Sequence, residues 1–166
     1  MLDNNDLNEI AKALSDNTLS TNDKNYGLTS AVVQENVELV KLFLDYAANP
    51  NTRTDNPYGP PAMLKVAESL NYEMLELILE YGGDPNCNFE GGARPLFVII
   101  ETLIENGAEG DTRMLELLID RGADLHYKWK ELGNITPIGL LTPVQLTSLG
   151  IKSASLGVKS SQKSLE

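Results

Sequence analysis

Residues 71–86 read NYEMLELILEYGGDPN, and the chain repeats this pattern in two other places. Residues 36–51 read NVELVKLFLDYAANPN, and residues 111–126 read DTRMLELLIDRGADLH. Successive copies begin 35 and 40 residues apart. Repeats with a period of about 20 to 50 residues are typical of solenoid proteins, in which each unit stacks on its neighbours. This internal repeat decides the fold class.

Each copy predicts an amphipathic helix that ends at a left-handed residue. In the second copy Leu75, Ile78 and Leu79 are spaced i, i+3 and i+4, which places them in one apolar stripe. Gly82 follows the last apolar turn, where glycine adopts a left-handed conformation without a Cβ penalty. The charged residues that fall outside this stripe, and that we expect to face water, are Glu73, Glu76 and Glu80.

A second, shorter helix is predicted ahead of the long ones. Three helix starts carry proline at or near the first helical position, where its missing N–H would be unpaired in any case. They are Pro60-Pro61, Arg94-Pro95 and Thr136-Pro137. The predicted unit is therefore a turn, a shorter helix, a tight turn, a longer helix and an extended loop.

The repeat resembles that of ankyrin-repeat proteins. Residues 117–124 (LLIDRGAD) and 77–86 (LILEYGGDPN) match the family's late motif, Leu-Leu-x-x-Gly-Ala-Asp-x-Asn. Of the early motif, Gly-x-Thr-Pro-Leu-His, only Thr136-Pro137 keeps the Thr-Pro pair. The resemblance covers about residues 26–141 and implies an all-α solenoid of about four helix-turn-helix units with a helical N-terminal cap. It is closest in kind to small, stand-alone bacterial members of the family.

The ends of the chain are expected to differ from the repeat. Residues 1–25 predict a capping helix followed by a polar loop over residues 15–25, because a terminal unit needs its apolar side shielded. Residues 26–149 form the predicted repeat domain. Residues 150–166 are rich in Ser, Lys and Gly, and we expect them to be a flexible tail.

The third unit carries five or six extra residues near residues 105–111. They are expected to lengthen its first helix or the turn between its helices. Insertions in solenoids map to loops and often lie on binding faces. The alternative is a tolerated surface insertion, since long surface loops cost little free energy.

The composition excludes several classes of partner. The chain has 166 residues, 42% of them hydrophobic, with 13 Lys and Arg against 24 Asp and Glu and a net charge of −11. Residues 1–149 alone carry −13. Nucleic acids and anionic membranes are bound by clustered basic residues, so we expect neither as a partner. An acidic chain favours a basic protein partner, or its charge serves solubility alone.

The sequence also predicts a cytoplasmic protein. Cys87 is the only cysteine, which excludes an internal disulfide and suits a reducing compartment. The N-terminus lacks the basic and apolar regions of a secretory signal. The longest apolar run, residues 96–100, is far too short to span a membrane. We expect the chain to act as a monomer.

Motifs for catalysis or cofactor binding are missing from the sequence. It contains no phosphate-binding loop, dinucleotide fingerprint or His-Glu-x-x-His pattern. The glycine-rich stretch at residues 91–94 lacks the Lys-Ser/Thr of a nucleotide site and predicts a turn. We therefore expect no catalytic residues, no cofactor and no metal. The distant alternative is an enzyme that uses Cys87, with His126 as its base.

The loops between units hold the most informative polar and aromatic residues. In ankyrin proteins such loops and the inner helices line a concave protein-binding surface, and Trp, Tyr and Arg dominate interface energetics. For Trp129 two interpretations stay open: it binds the partner, or it packs against the last unit. The predicted partner-binding residues are Arg53, Asp55, Tyr58, Phe89, Glu90, Glu105, Glu109, His126, Tyr127 and Trp129.

These features predict a non-enzymatic protein-binding module. The first hypothesis is an immunity-type protein that neutralises a basic cognate toxin, since small acidic ankyrin proteins resemble such proteins. The alternative is an adaptor or a secreted, host-directed effector, in which residues 150–166 serve as a secretion or docking signal.

Overall fold

The computed structural model describes residues 4–54, 58–108, 110–130 and 133–150, and the side chains from residue 7 onward within these ranges. This part of the chain is all-α, with short 3-10 geometry at Glu90–Gly92 and isolated bridges but no extended strand. The α-helices are α1 (Asn4–Ser15), α2 (Thr21–Val33), α3 (Val37–Asp45), α4 (Ala62–Ser69), α5 (Tyr72–Glu80), α6 (Pro95–Glu105), α7 (Arg113–Asp120), α8 (Pro137–Leu140) and α9 (Pro143–Ser148).

After α1, the described helices form four consecutive pairs, from α2–α3 to α8–α9. The first helices of the pairs contact one another in series, α2 with α4, α4 with α6, and α6 with α8. The second helices do the same, α3 with α5 and α5 with α7. The predicted all-α class is confirmed.

The core lies between these two layers of helices. The stripe residues Leu75 and Ile78 of α5 are fully buried, and Leu79 is nearly so. Helix α6 is apolar almost throughout and buries Leu96, Phe97, Ile99, Ile100 and Leu103. Helix α1 adds Leu14 to the same core, with Leu7 and Ile10 packed against it. The predicted N-terminal helix is therefore present and packs on this core.

Two of the second helices begin at asparagine N-caps, and three of them end at a left-handed residue, as predicted for their ends. Asn36 Oδ1 accepts from the Leu39 N–H, and Asn71 Oδ1 from the Met74 N–H, each at 3.0 Å, so both asparagines are N-caps. Gly82 and Gly122 follow α5 and α7 with φ of 89° and 90°. Ala47 takes the same left-handed place after α3, at φ 64°.

Two predictions about segment length are wrong. The polar loop expected over residues 15–25 ends at Ser20, because Ser20 and Asp23 form a capping box that starts α2 at Thr21. The first helix of a pair is also not regularly the shorter one. Helix α2 has 13 residues against 9 in α3, and α6 has 11 against 8 in α7.

The extra residues of the third unit are divided between a helix and a turn. Helix α6 has 11 residues where α4 has 8. The turn that follows α6 covers residues 106–112, whereas residues 70–71 suffice after α4. Both predicted positions of the insertion are therefore used.

A ladder of asparagine side chains ties each loop to the next. Asn51 Oδ1 accepts from the Asp84 N–H at 2.7 Å, and Asn51 Nδ2 donates to the Gly82 carbonyl at 3.1 Å. Asn86 repeats both bonds one unit later, to the Asp124 N–H and the Gly122 carbonyl, at 2.9 Å each. The ladder sets the spacing of the loops along the stack.

We predict that Asn51→Ala lowers the free energy of unfolding by about 1 kcal/mol, because it removes two hydrogen bonds between units at an exposed position. Urea denaturation followed by circular dichroism measures the change. Asn88→Ala is the matched control, since this exposed side chain makes no hydrogen bond within the described residues and should change stability by less than about 0.5 kcal/mol. Equal effects of the two substitutions would show that the ladder does not stabilise the stack.

Candidate functional site

Three loops between helix pairs line up along one side of the stack: residues 46–61, 81–94 and 121–136. Each is closed by one isolated antiparallel bridge. The bridged pairs are Arg53 with Pro61, Phe89 with Ala93, and Trp129 with Ile135. These bridges give the loops a common hairpin-like shape and hold several of the predicted binding residues at their bases.

Arg53 and Phe89 are brought together between the first two loops. The Arg53 guanidinium lies 5.9 Å from the centroid of the Phe89 ring. It also donates to the Gly59 carbonyl at 3.1 Å and to the Asn88 carbonyl at 3.4 Å. Two of the five N–H donors of Arg53 are therefore bonded within the protein, and the residue joins neighbouring loops.

Tyr127 and Trp129 pack against α6 and the second loop. Trp129 meets the buried Phe97 ring edge-on at 5.1 Å, and Tyr127 meets it at 6.4 Å. The Arg94 guanidinium stacks 3.5 Å from the Tyr127 ring centroid. Trp129 Nε1 is buried, out of reach of a partner's acceptor. These contacts favour the packing interpretation of Trp129.

The other predicted binding residues lie on separate elements. Tyr58, in the first loop, is 86% exposed. Glu90 is exposed in the 3-10 turn, Glu105 at the end of α6, and His126 in the third loop. Asp55 and Glu109 lie outside the described residues.

A groove beside α2 contains residues that the sequence analysis missed. Tyr26 and Val33 are large side chains on α2 that remain 75% and 63% exposed. Two adjoining depressions, of ≈ 340 and ≈ 330 Å³, share Val33. We call this surface the α2 groove, and it is lined by Tyr26, Thr29, Ser30, Val32, Val33, Gln34, Glu35, Thr54, Lys65, Glu68 and Ser69.

The signal for Tyr26 and Val33 is present in the sequence. They are seven residues, or about two helical turns, apart, which places them on the same side of a helix. The capping box of Ser20 and Asp23 marks the start of that helix. The predicted loop over residues 15–25 includes the first turn of this helix. The face that Tyr26 and Val33 share is therefore not recognised from the sequence pattern.

Acidic side chains border the α2 groove. Glu35 is exposed in the left-handed turn after α2 and forms no ion pair within the described chain. Lys65 Nζ is paired with Glu68 at 2.7 Å. Lys65 is thus neutralised by a carboxylate, whereas Arg53 keeps its positive charge and is hydrogen-bonded to backbone carbonyls.

The acidic border continues on α6. Glu68 and Glu101 occupy the same helical position, seven residues after the N-caps Pro61 and Arg94. Partial burial raises the pKa of Glu101, and repulsion from Glu105 one turn later raises it further. A cation placed beside the Glu101 and Glu105 carboxylates would relieve their mutual repulsion.

Cys87 lies in an environment that suppresses nucleophilic chemistry. Burial, followed by the neighbouring Asp84 carboxylate, raises the pKa of the Cys87 thiol to about 12. Since the thiolate is the reactive form, the thiol is almost wholly protonated near neutral pH. In the part of the chain described here, His, Cys, Asp and Glu residues form no group of three able to hold a metal ion.

No protein-family model matches the chain, and no curated protein sequence is significantly similar to it. Among the described helices, none is both long and apolar enough to cross a membrane.

We predict that Cys87 in the native protein reacts far more slowly with a thiol reagent at pH 8 than in the unfolded chain. A pKa raised from 9.0 to about 12 lowers the thiolate fraction by about a thousandfold. Absorbance with an aromatic disulfide reagent, with and without guanidinium chloride, measures both rates. A native rate close to the unfolded one would contradict the raised pKa and support the nucleophile hypothesis.

We predict that Trp129→Ala lowers the free energy of unfolding by about 2 kcal/mol, through loss of the contact with Phe97 and of the surface it buries. Trp129→Phe keeps an aromatic ring and should recover more than half of that loss. Thermal melts of both variants give the comparison. An unchanged melting temperature for Trp129→Ala would favour the binding interpretation instead.

Proposed function

We propose that the chain is an ankyrin-type solenoid that works as a non-enzymatic protein-binding module. The sequence repeat, the four helix pairs and the serial contacts between equivalent helices support this arrangement. Each pair buries its apolar face against its neighbours, and stacking of this kind creates an extended surface along the first helices and the loops.

The observation that carries the proposal is the exposure of large side chains on that surface. Tyr26, Val33 and Tyr58 are 63–86% exposed, although aromatic and large apolar residues usually contribute to a core. Exposed aromatic residues within a contiguous patch mark interaction sites. Carboxylates such as Glu35 and Glu101 lie along the same side.

The partner in this proposal is a basic protein. The net charge of −11 speeds encounter with a positively charged surface and disfavours acidic partners. We propose an immunity-type role, in which a monomer of this chain neutralises a basic cognate toxin in the cytoplasm. The free thiol of Cys87 fits that reducing compartment.

A salt series on affinity-tagged protein in native lysate tests the proposal. We expect capture of a protein of high isoelectric point, with an affinity that falls at least tenfold between about 50 and 300 mM salt, as exposed charge pairs are screened. For the immunity role, expressing the captured partner alone should arrest growth of a bacterial host, and co-expressing this chain should restore it.

Two results would contradict the proposal. Capture of no basic partner would refute the binding function. A basic partner that does not arrest growth would refute the immunity role and favour the adaptor or effector alternative.

A further inference from the structure

We infer that the α2 groove receives a segment of the partner protein in which one apolar side chain is flanked by Lys or Arg residues. This inference rests on the proposed function and adds where the partner docks and what chemistry docks there. The apolar side chain lies between Tyr26 and Val33, and a basic side chain lies beside Glu35.

The spacing of the two exposed side chains fits one apolar residue. Tyr26 and Val33 are seven residues apart on α2, which corresponds to about 10 Å along the helix axis. Thr29 and Ser30 lie between them, and Thr54 of the first loop closes the opposite side. The depression of ≈ 340 Å³ at this place has the volume of a large side chain with room around it.

Three hydroxyl groups that line this depression are already hydrogen-bonded inside the protein. The Thr29 hydroxyl donates to the Tyr26 carbonyl at 2.9 Å, and the Thr54 hydroxyl to the Pro60 carbonyl at 3.1 Å. Ser30 Oγ accepts from Gln34 Nε2 at 2.9 Å. Covering these groups with an apolar side chain leaves their bonds intact, so the desolvation penalty is small.

Charge defines the flanks of the docked segment. Glu35 is exposed next to Val33 and has no ionic partner in the described chain. Lys65 is neutralised by Glu68, and Arg53 is turned toward the Gly59 and Asn88 carbonyls. Arg53 keeps its charge but lines a separate depression, together with Asp23. Beside Val33 the remaining charge is that of Glu35, which favours Lys or Arg over Asp or Glu.

A titration of the isotopically labelled 166-residue chain with synthetic peptides tests this inference. The probe is a nonapeptide with a central leucine between two lysine pairs, followed by two relatives. One replaces leucine by glycine, and the other replaces each lysine by glutamate. We expect the first peptide to shift the amide resonances of Tyr26, Val33 and Glu35 with a dissociation constant below about 1 mM, and the relatives to bind at least tenfold more weakly.

Matched variants locate the site. Val33→Ser should weaken binding of the leucine peptide about tenfold, whereas Val144→Ser, at a similarly exposed valine on α9, should not change it. Glu35→Lys should weaken binding to the same degree, and Glu80→Lys, on the exposed side of α5, should leave it within about twofold. All four positions are exposed, and amide spectra of each variant verify the fold.

Each contrary result overturns a stated part of the inference. Equal binding of the glycine peptide would show that the groove does not bind an apolar side chain. Equal binding of the glutamate peptide would show that charge does not select the docked segment. Shifts elsewhere on the protein, or no shifts at all, refute the groove as the docking place. A captured basic partner that binds Val33→Ser and Glu35→Lys normally also refutes the groove, while the proposed function stands.

Discussion

The structure depends on one constraint: a single helix pair cannot bury its own apolar face. Helix α5 shows this directly, since Leu75 and Ile78 are fully buried although a helix of nine residues has little core of its own. Their burial requires α4 beside them and the second helices α3 and α7 on either side. Stability therefore accumulates from unit to unit, and the terminal units need special treatment. At the N-terminus, helix α1 contributes Leu14 to the same core.

The stacking that buries the core also fixes the relative positions of the loops, although the loops contribute few apolar residues to that core. Because successive units are related by nearly constant steps, Asn51 and Asn86 reach the same two backbone groups of the following loop. The loops thereby become an ordered series. Arg53 against Phe89 and Arg94 against Tyr127 are possible only because that series holds neighbouring loops at a repeatable distance.

Sequence periodicity predicted the features that repeat, and it failed where a unit departs from the repeat. The stripe of α5, the stops at Gly82 and Gly122 and the proline at the start of α6 follow from local rules of helix amphipathicity and helix termination. Helix α2 has no strong apolar side, because Tyr26 and Val33 are exposed opposite buried Leu28 and Ala31. Its pattern therefore resembles a loop, although Ser20 and Asp23 mark its start. The packing of Trp129 on Phe97 depends on contacts between units, which no local pattern records.

The failure at α2 is informative about function. Val33 directly follows the two buried residues at positions 31 and 32 of α2, as Glu68 follows two buried residues of α4. The corresponding position of α6 holds Glu101. Two of three units thus place a carboxylate where α2 places an exposed valine, so the stack does not require an apolar side chain there. Val33 is exposed beside Tyr26 in a groove, and burial in the core does not explain it. It is better explained by a contact in a complex.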